Sequence, residues 1–221
     1  MYYEIPIIIF IVLLVLLLVR KLTFSVGERG EHAVAWRLGR LRRDQYFVIN
    51  DLMIEKKNGH TTQIDHVVIS PFGIFVIETK NFSGYIYGSE NAYQWLKRWK
   101  GYARGGVYRE SELSFDNPVL QNGSHVQALY ELLHNQCTKF IPIIAFSPKA
   151  TLKVNVPNVY VIYWTQVLDV IKRYKEEVMS AEQAKEIYNY LLTLNIKDKE
   201  RRKAHAERAQ IYKNNYKHKI P

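Results

Sequence analysis

The sequence predicts an α/β fold: a mixed β-sheet flanked by helices, preceded by an apolar segment and followed by a basic helix. Three observations carry this expectation. Short runs at 63–70, 73–80, 140–146 and 158–164 are rich in β-branched and aromatic residues, and several are apolar enough to be buried on both faces. Helical patterns at 165–174 and 180–195 follow the later runs, and strand–helix–strand order calls for crossovers and hence some parallel pairing. At 221 residues the chain has room for one such domain plus appendages.

The elements follow in order. Residues 5–19 are fifteen consecutive positions without a charge, preceded by Tyr2 and Tyr3 and followed by Arg20-Lys21. This is short against the roughly 20 residues of a spanning helix, but the tyrosines and Leu22 extend it through the interface. The expectation is a retained anchor over 1–22. A cleaved signal peptide is the first alternative, weakened by Glu4 and the poor cleavage site Ser25-Val26-Gly27; a buried core helix is the second. Arg20, Lys21, Arg29, Arg37, Arg40, Arg42 and Arg43 all follow the span. This bias predicts a single pass through the cell membrane, with the N-terminus outside and the body in the cytoplasm. Cys137 is the only cysteine, so no intrachain disulfide forms, in keeping with a reducing compartment.

Val34, Leu38 and Leu41 recur at helical spacing within 27–41. A strand at 46–54 carries polar Asn50 and Asp51, and a Gly-containing loop at 55–60 leads to the pair 63–70 and 73–80. A short strand is expected at 83–88. Residues 91–108 interleave Tyr93, Trp95, Trp99 and Tyr102 with Lys97, Arg98, Lys100 and Arg104. Such a pattern suits base stacking with phosphate contacts, and equally an edge strand packing its rings on a core. Trp95 is expected to pack, while Lys97, Arg98 and Arg104 are candidate nucleic-acid contacts. Asp116 or Asn117 caps a helix with Pro118 at its first position, running to about Asn135. Ser180-Ala181-Glu182-Gln183 is a capping box for the helix that ends near Asn195. From Lys197 to Lys219 there are nine Lys/Arg against Asp198, Glu200 and Glu207, read as an exposed basic helix.

The chemistry gathers in the central pair. Gly73-Ile74-Phe75-Val76-Ile77 ends in Glu78-Thr79-Lys80, and Glu78 and Lys80, two apart, share a face. Buried charges are costly unless paired or bound to a metal. With Pro71-Phe72 as the loop, Ser70 faces Gly73, and counting back sets Asp65 opposite Glu78, on its face. Two carboxylates and a lysine then converge as a divalent-cation site beside a positive charge. Phosphodiester hydrolysis needs such a set. The plainer reading is a hairpin ending in a salt bridge. Gln63 shares the face of Asp65 by the period of two, and His66 points to the other. Gln121 reaches toward the site from its helix, with His125 one turn on. Glu31 lies at a helix start, where a carboxylate suits the dipole whatever its role. No C-x-x-C, H-E-x-x-H, Walker A or G-x-G-x-x-G occurs, so zinc and nucleotide-cofactor chemistry lack support.

Gln63-Ile64-Asp65-His66-Val67-Val68, the run Gly73 to Asn81 and Gly84-Tyr85-Ile86-Tyr87-Gly88 together resemble the NERD (nuclease-related) domain of the PD-(D/E)xK, restriction-endonuclease-like nucleases. Gly30-Glu31 looks like the start of that family's first helix, and Asn117-Pro118-Val119-Leu120-Gln121 with His125 and Leu129 its N-P-x-x-Q…H…L helix. Ile64 stands where the superfamily's name has Pro. The resemblance implies a restriction-endonuclease-like mixed sheet and metal-dependent cleavage of DNA, with RNA not excluded. Asp65 and Glu78 would ligate Mg2+ or Mn2+ along with the carbonyl of Thr79, and Lys80 would orient water or stabilise charge; it also raises Glu31 to a site residue. The implied organisation is an anchor at 1–22, a nuclease domain at 27–195 (motifs in 27–133) and a basic tail at 196–221. The net charge of +10 favours phosphate-bearing partners. The runner-up is a non-catalytic nucleic-acid-binding or membrane-associated module that keeps the fold; the tail as a lipid- or partner-binding arm is a third reading.

Overall fold

The structure is a computed structural model that describes residues 25–102, 108–133 and 139–217, with Pro6, Ile9 and Phe10. The expected anchor at 1–22 lies outside the described residues apart from those three positions, and so does Arg104. Among the described residues no helix is long and apolar enough to cross a membrane.

Among the described residues, nine strands form two mixed sheets. Helix α1 (Val26–Leu38) leads into β1 (Phe47–Glu55), β2 (Thr61–Ser70) and β3 (Gly73–Lys80), consecutive antiparallel neighbours. Strands β7 (Phe140–Phe146) and β9 (Tyr160–Tyr163) then add in parallel, giving the order β1-β2-β3-β7-β9. The crossover from β3 to β7 includes α2 (Pro118–Leu133), the parallel pairing that the sequence order called for. Helices α3 (Val167–Arg173), α4 (Ala181–Leu194) and α5 (Lys199–Lys217) complete the described chain.

Each face of this sheet carries its own helices. On one, α1 and α3 bury Val34, Leu38, Val170 and Ile171 against Val68, Phe75 and Ile77. On the other, α2 and α4 bury Leu129, Leu133, Ile187 and Leu191 against Ile54, Ile64, Val67, Ile74 and Val76. The β2–β3 connection is the expected two-residue loop. Ser70 pairs with Gly73, whose φ of 129° is outside the reach of ordinary side chains, and the Ser70 hydroxyl donates to the Gly73 carbonyl at 3.0 Å.

The second sheet, β6-β5-β4-β8, was not foreseen. Strand β4 (Gly84–Ser89) is where the sequence placed it and β5 (Gln94–Tyr102) is the aromatic–cationic stretch, but β6 (Tyr108–Asp116) and β8 (Ala150–Asn155) were not expected as strands. The side chains of β6 are largely exposed and lack the apolar alternation that marks a strand, whereas β8 does alternate, with Ala150, Leu152 and Val154 packed on the core and Thr151, Lys153 and Asn155 exposed. Trp95 packs as expected: it is 1% exposed, stacks on Phe146 at 6.1 Å and donates its indole N–H to the Ser89 carbonyl. Asn117 ties this sheet to α2. Its amide group reaches the carbonyls of Ser89, Glu90 and Ala92, and its Oδ1 accepts from the N–H of Val119 in the first turn of the helix.

Candidate active site at the parting of two strands

Strands β2 and β3 pair from Ser70–Gly73 as far as His66–Ile77 and then part, while β3 keeps pairing with β7 through Lys80. Asp65 stands at the parting. Its Oδ2 accepts from the backbone N–H of Thr79 at 2.7 Å, so the carboxylate fills the gap that the broken ladder leaves. Glu78, Thr79 and Lys80 follow on β3. The register is the expected one, yet the shared face of Asp65 and Glu78 is not found. Thr62 bonds α2 through His125, and Ile64 and Val67 both face the α2 side, so Asp65 and His66 both fall toward α1. The alternation of β2 slips by one residue here, next to Asp51 of β1, which takes a left-handed φ of 58°. His66, expected opposite Asp65, therefore lines the same cleft, where its Nδ1 meets Asn50 Oδ1 at 2.8 Å. Burial holds that imidazole down at about 4.

This cleft, about 310 Å³, is lined by Glu31 from α1, Asp51 from β1, and Gln63 and Asp65 from β2. Gln63 and Asp65 share it as expected. Gly30 allows α1 to lie this close, since a Cβ there would stand 2.7 Å from the Asn81 Cβ and 3.3 Å from Thr79 Cγ2. Burial first, then the charge of Glu78 and that of Glu31, push the Asp65 carboxyl well above the usual carboxylate range. Glu31 is raised by burial, then by Asp51 and Glu78. These are carboxylates crowded in a poorly hydrated place, the condition a cation relieves.

On the α2 side, Glu78 is 3% exposed. Its Oε1 receives Lys80 Nζ at 2.6 Å, and the same ammonium donates to Gln121 Oε1 at 2.9 Å. Burial alone would push Glu78 up, but Lys80 and His125 outweigh it and hold the carboxyl at about 2. Burial likewise acts against the Lys80 ammonium, and Glu78 more than compensates, so its pKa is raised. His125 Nε2 lies 3.3 Å from Glu78 Oε2, off the line of a hydrogen bond, while its Nδ1 bonds Thr62 Oγ1 at 2.8 Å. Glu78 Oε2 is thus a buried carboxylate oxygen without a hydrogen-bond partner. Thr79 is buried.

Gln121 is thereby brought to Lys80, His125, which the sequence left open, meets Glu78, and Thr62 and Asp51 join the site as residues the sequence reading had not placed in it. Asp51 left one signal, a polar pair with Asn50 inside an apolar strand. Of the proposed nucleic-acid contacts, Lys97 lies over the rings of Phe82 and Trp99, and Arg98 pairs with Glu112 at 3.1 Å and lies over Tyr87.

The donors here are carboxylate oxygens, the ligand type that hard cations take. Among the described residues no three His, Cys, Asp or Glu side chains gather into one metal-ligating group. Mg2+, however, typically rests on one or two carboxylates and keeps several waters. Asp65 and Glu78 are the two carboxylates at the parting of the strands, the first turned toward α1 and the second toward α2.

Residues 26–147 match the nuclease-related domain, NERD. The chain belongs to the NERD family. It is 36% identical over 184 residues to an uncharacterized protein of Bacillus anthracis, an alignment covering 82% of each chain. No solved structure matches it. The matched NERD span runs from the first residue of α1 to the residue after β7, and so contains every residue of the site described above.

Proposed function

We propose that this NERD protein is a metal-dependent nuclease that hydrolyses phosphodiester bonds of DNA. The observation that supports it most is the buried Glu78 carboxylate at the parting of two strands, with Lys80 on one oxygen and only the 3.3 Å contact of His125 on the other, beside the raised Asp65 carboxyl. Asp65 and Glu78 would hold Mg2+ or Mn2+, joined by the Thr79 carbonyl. The cation supplies Lewis acidity toward the scissile phosphate and its attacking water. Lys80, fixed by Gln121, places its positive charge where the nucleophile and the transition state need it. Glu31 and Gln63 line the approach from the α1 side, and the proposed contacts of Lys97, Arg98 and Arg104 would hold the nucleic-acid backbone. Incubation of single- and double-stranded DNA and of RNA with the full-length protein in Mg2+, Mn2+ or EDTA tests this reading, with cleavage expected only when the metal is present.

The near-complete burial of Glu78 in its ion pair also suits the second reading, a nucleic-acid-binding module that keeps the fold without the chemistry. The apolar stretch and the positive charges after it support a membrane anchor over residues 2–22, with the NERD domain in the cytoplasm. Protease digestion of oriented vesicles checks this: a C-terminus cleaved only from the outside contradicts it.

A further inference from the structure

The basic tail is not a free arm at its start. Arg202, in the first turns of α5, spends its guanidinium on one place. Nη1 donates to Asp51 Oδ1 and Oδ2 at 2.9 and 2.8 Å, and Nη2 to the Asp51 carbonyl at 3.2 Å and to Asn195 Oδ1 at 3.3 Å. Nε donates to the Ile196 carbonyl at 2.7 Å. Asn195 Oδ1 and Ile196 in turn bond the backbone of Met53 on β1. Asp51 is the residue with positive φ, between the Asn50–His66 and Leu52–Ile64 pairs, where the facing of the side chains shifts while the β1–β2 register holds, and its Oδ1 also accepts from Gln63 Nε2 at 2.8 Å. Docking a surface helix requires neither a left-handed backbone nor a two-pronged hold on a carboxylate that lines the Asp65 cleft.

We infer that Arg202 is a positioning residue of the candidate site: it holds Asp51 as a neutralised partner, so that Asp51 adds no free charge where the cleft opens on Asp65, and it steadies Gln63 beside it. The inference rests on the cation reading above, but it concerns residues 151 positions apart that the reading does not use. Arg202 bonds neither Asp65 nor Glu78, and acts through Asp51.

The test is Mn2+ binding to the full-length protein by calorimetry, independent of any cleavage. Arg202→Gln frees the Asp51 charge, so Mn2+ should bind about threefold tighter or more, the scale of removing one nearby unit charge at surface dielectric. Asp51→Asn combined with Arg202→Gln should return the affinity to within about twofold of the wild type, because the freed charge is gone. A folded Arg202→Gln protein with unchanged or weaker Mn2+ binding overturns the inference and leaves Arg202 as a helix tether. If Arg202→Gln does not fold, Asp51→Asn alone decides: it frees the Arg202 charge, so Mn2+ should bind about threefold weaker and any loss up to about tenfold supports a neutralised partner, whereas unchanged affinity, or a loss beyond about tenfold that makes Asp51 a ligand, overturns it. A wild type that binds no Mn2+ defeats the cation reading itself and takes the inference with it.

Discussion

Lys80 Nζ sits 2.6 Å from Glu78 Oε1, with the lysine side chain 18% and the glutamate 3% exposed. Breaking such a pair leaves a buried charge without its partner. Lys80→Ala should therefore destabilise the fold by about 3 kcal/mol, the lower end for disrupted buried pairs because the lysine keeps some solvent. Adding Glu78→Gln should recover part of that loss. Thermal denaturation of the two variants measures both, and equal Tm values for Lys80→Ala and wild type would show that the pair contributes nothing net.

Asp65 calls for the opposite sign. Its carboxyl is raised by burial and by Glu78 and Glu31, so the ionised form is unwelcome in the metal-free protein. Asp65→Asn should raise the metal-free protein's stability at neutral pH by about 1 kcal/mol or more. The gain should disappear at acid pH, where the wild-type carboxyl is already protonated. A chemical denaturation series at both pH values reads this directly.

His66 gives a pH dependence of its own. Its folded pKa, about 4, lies below the ordinary 6.5, so the unfolded chain binds more protons between those values. Its contribution to stability is therefore complete above pH 6.5 and is lost as the pH falls toward 4, by roughly 3 kcal/mol at most. Glu31 and Asp65, raised, act in the opposite direction over the acid range, so the comparison must be with His66→Gln, whose profile should lack the loss. Parallel profiles would mean that His66 is hydrated and titrates freely.

Gly30 sets how closely α1 approaches β3. Gly30→Ala brings a methyl to 2.7 Å from the Asn81 Cβ, with Thr79 Cγ2 on its other side, so the helix must shift. A cost of about 1–3 kcal/mol is expected despite the better helix propensity of alanine. Glu31, the next residue, would move with the helix, and unchanged stability would show that Asn81 yields freely.

The tail divides in two. Arg201 pairs with Glu55, Arg202 with Asp51, His205 with Thr61 and Arg208 with His60, so the start of α5 is stitched to the β1–β2 hairpin. Removal of everything after Asn195 should lower both Tm and site integrity, whereas removal after Gln210 should leave Tm unchanged. The latter still deletes Lys213, Lys217 and Lys219, and should flatten the salt dependence of nucleic-acid binding by counterion release. Titrations at several salt concentrations compare the slopes, and an identical slope excludes the distal tail from phosphate contact.

What the sequence disclosed and what it hid divide along physical lines. Pro71-Phe72-Gly73 announced a two-residue turn, and with it the register that sets Asp65 level with Glu78. Ser180 and Asn117 announced helix starts through short-range capping. The face of Asp65 was hidden, because the slip at Asp51 is a local backbone event that alternation counting assumes away. β6 was hidden because its side chains are mostly solvated and leave no apolar period, whereas β8 alternates at Ala150, Leu152 and Val154 and was legible but short. The Arg202–Asp51 contact was hidden because a basic run reads the same whether it is solvated or docked. Chemistry carried by a strand end was legible; chemistry assembled across distant segments was not.

Whether Asp65 serves a cation in phosphodiester cleavage is decided by comparing Asp65→Ala with wild type in DNA cleavage with Mg2+ or Mn2+. Metal-dependent cleavage is expected of the wild type and should be abolished in Asp65→Ala while the variant stays folded and still binds DNA. A wild type that binds nucleic acid but cleaves no form of DNA or RNA with either metal, or an Asp65→Ala protein that cleaves at the wild-type rate, contradicts this role of Asp65.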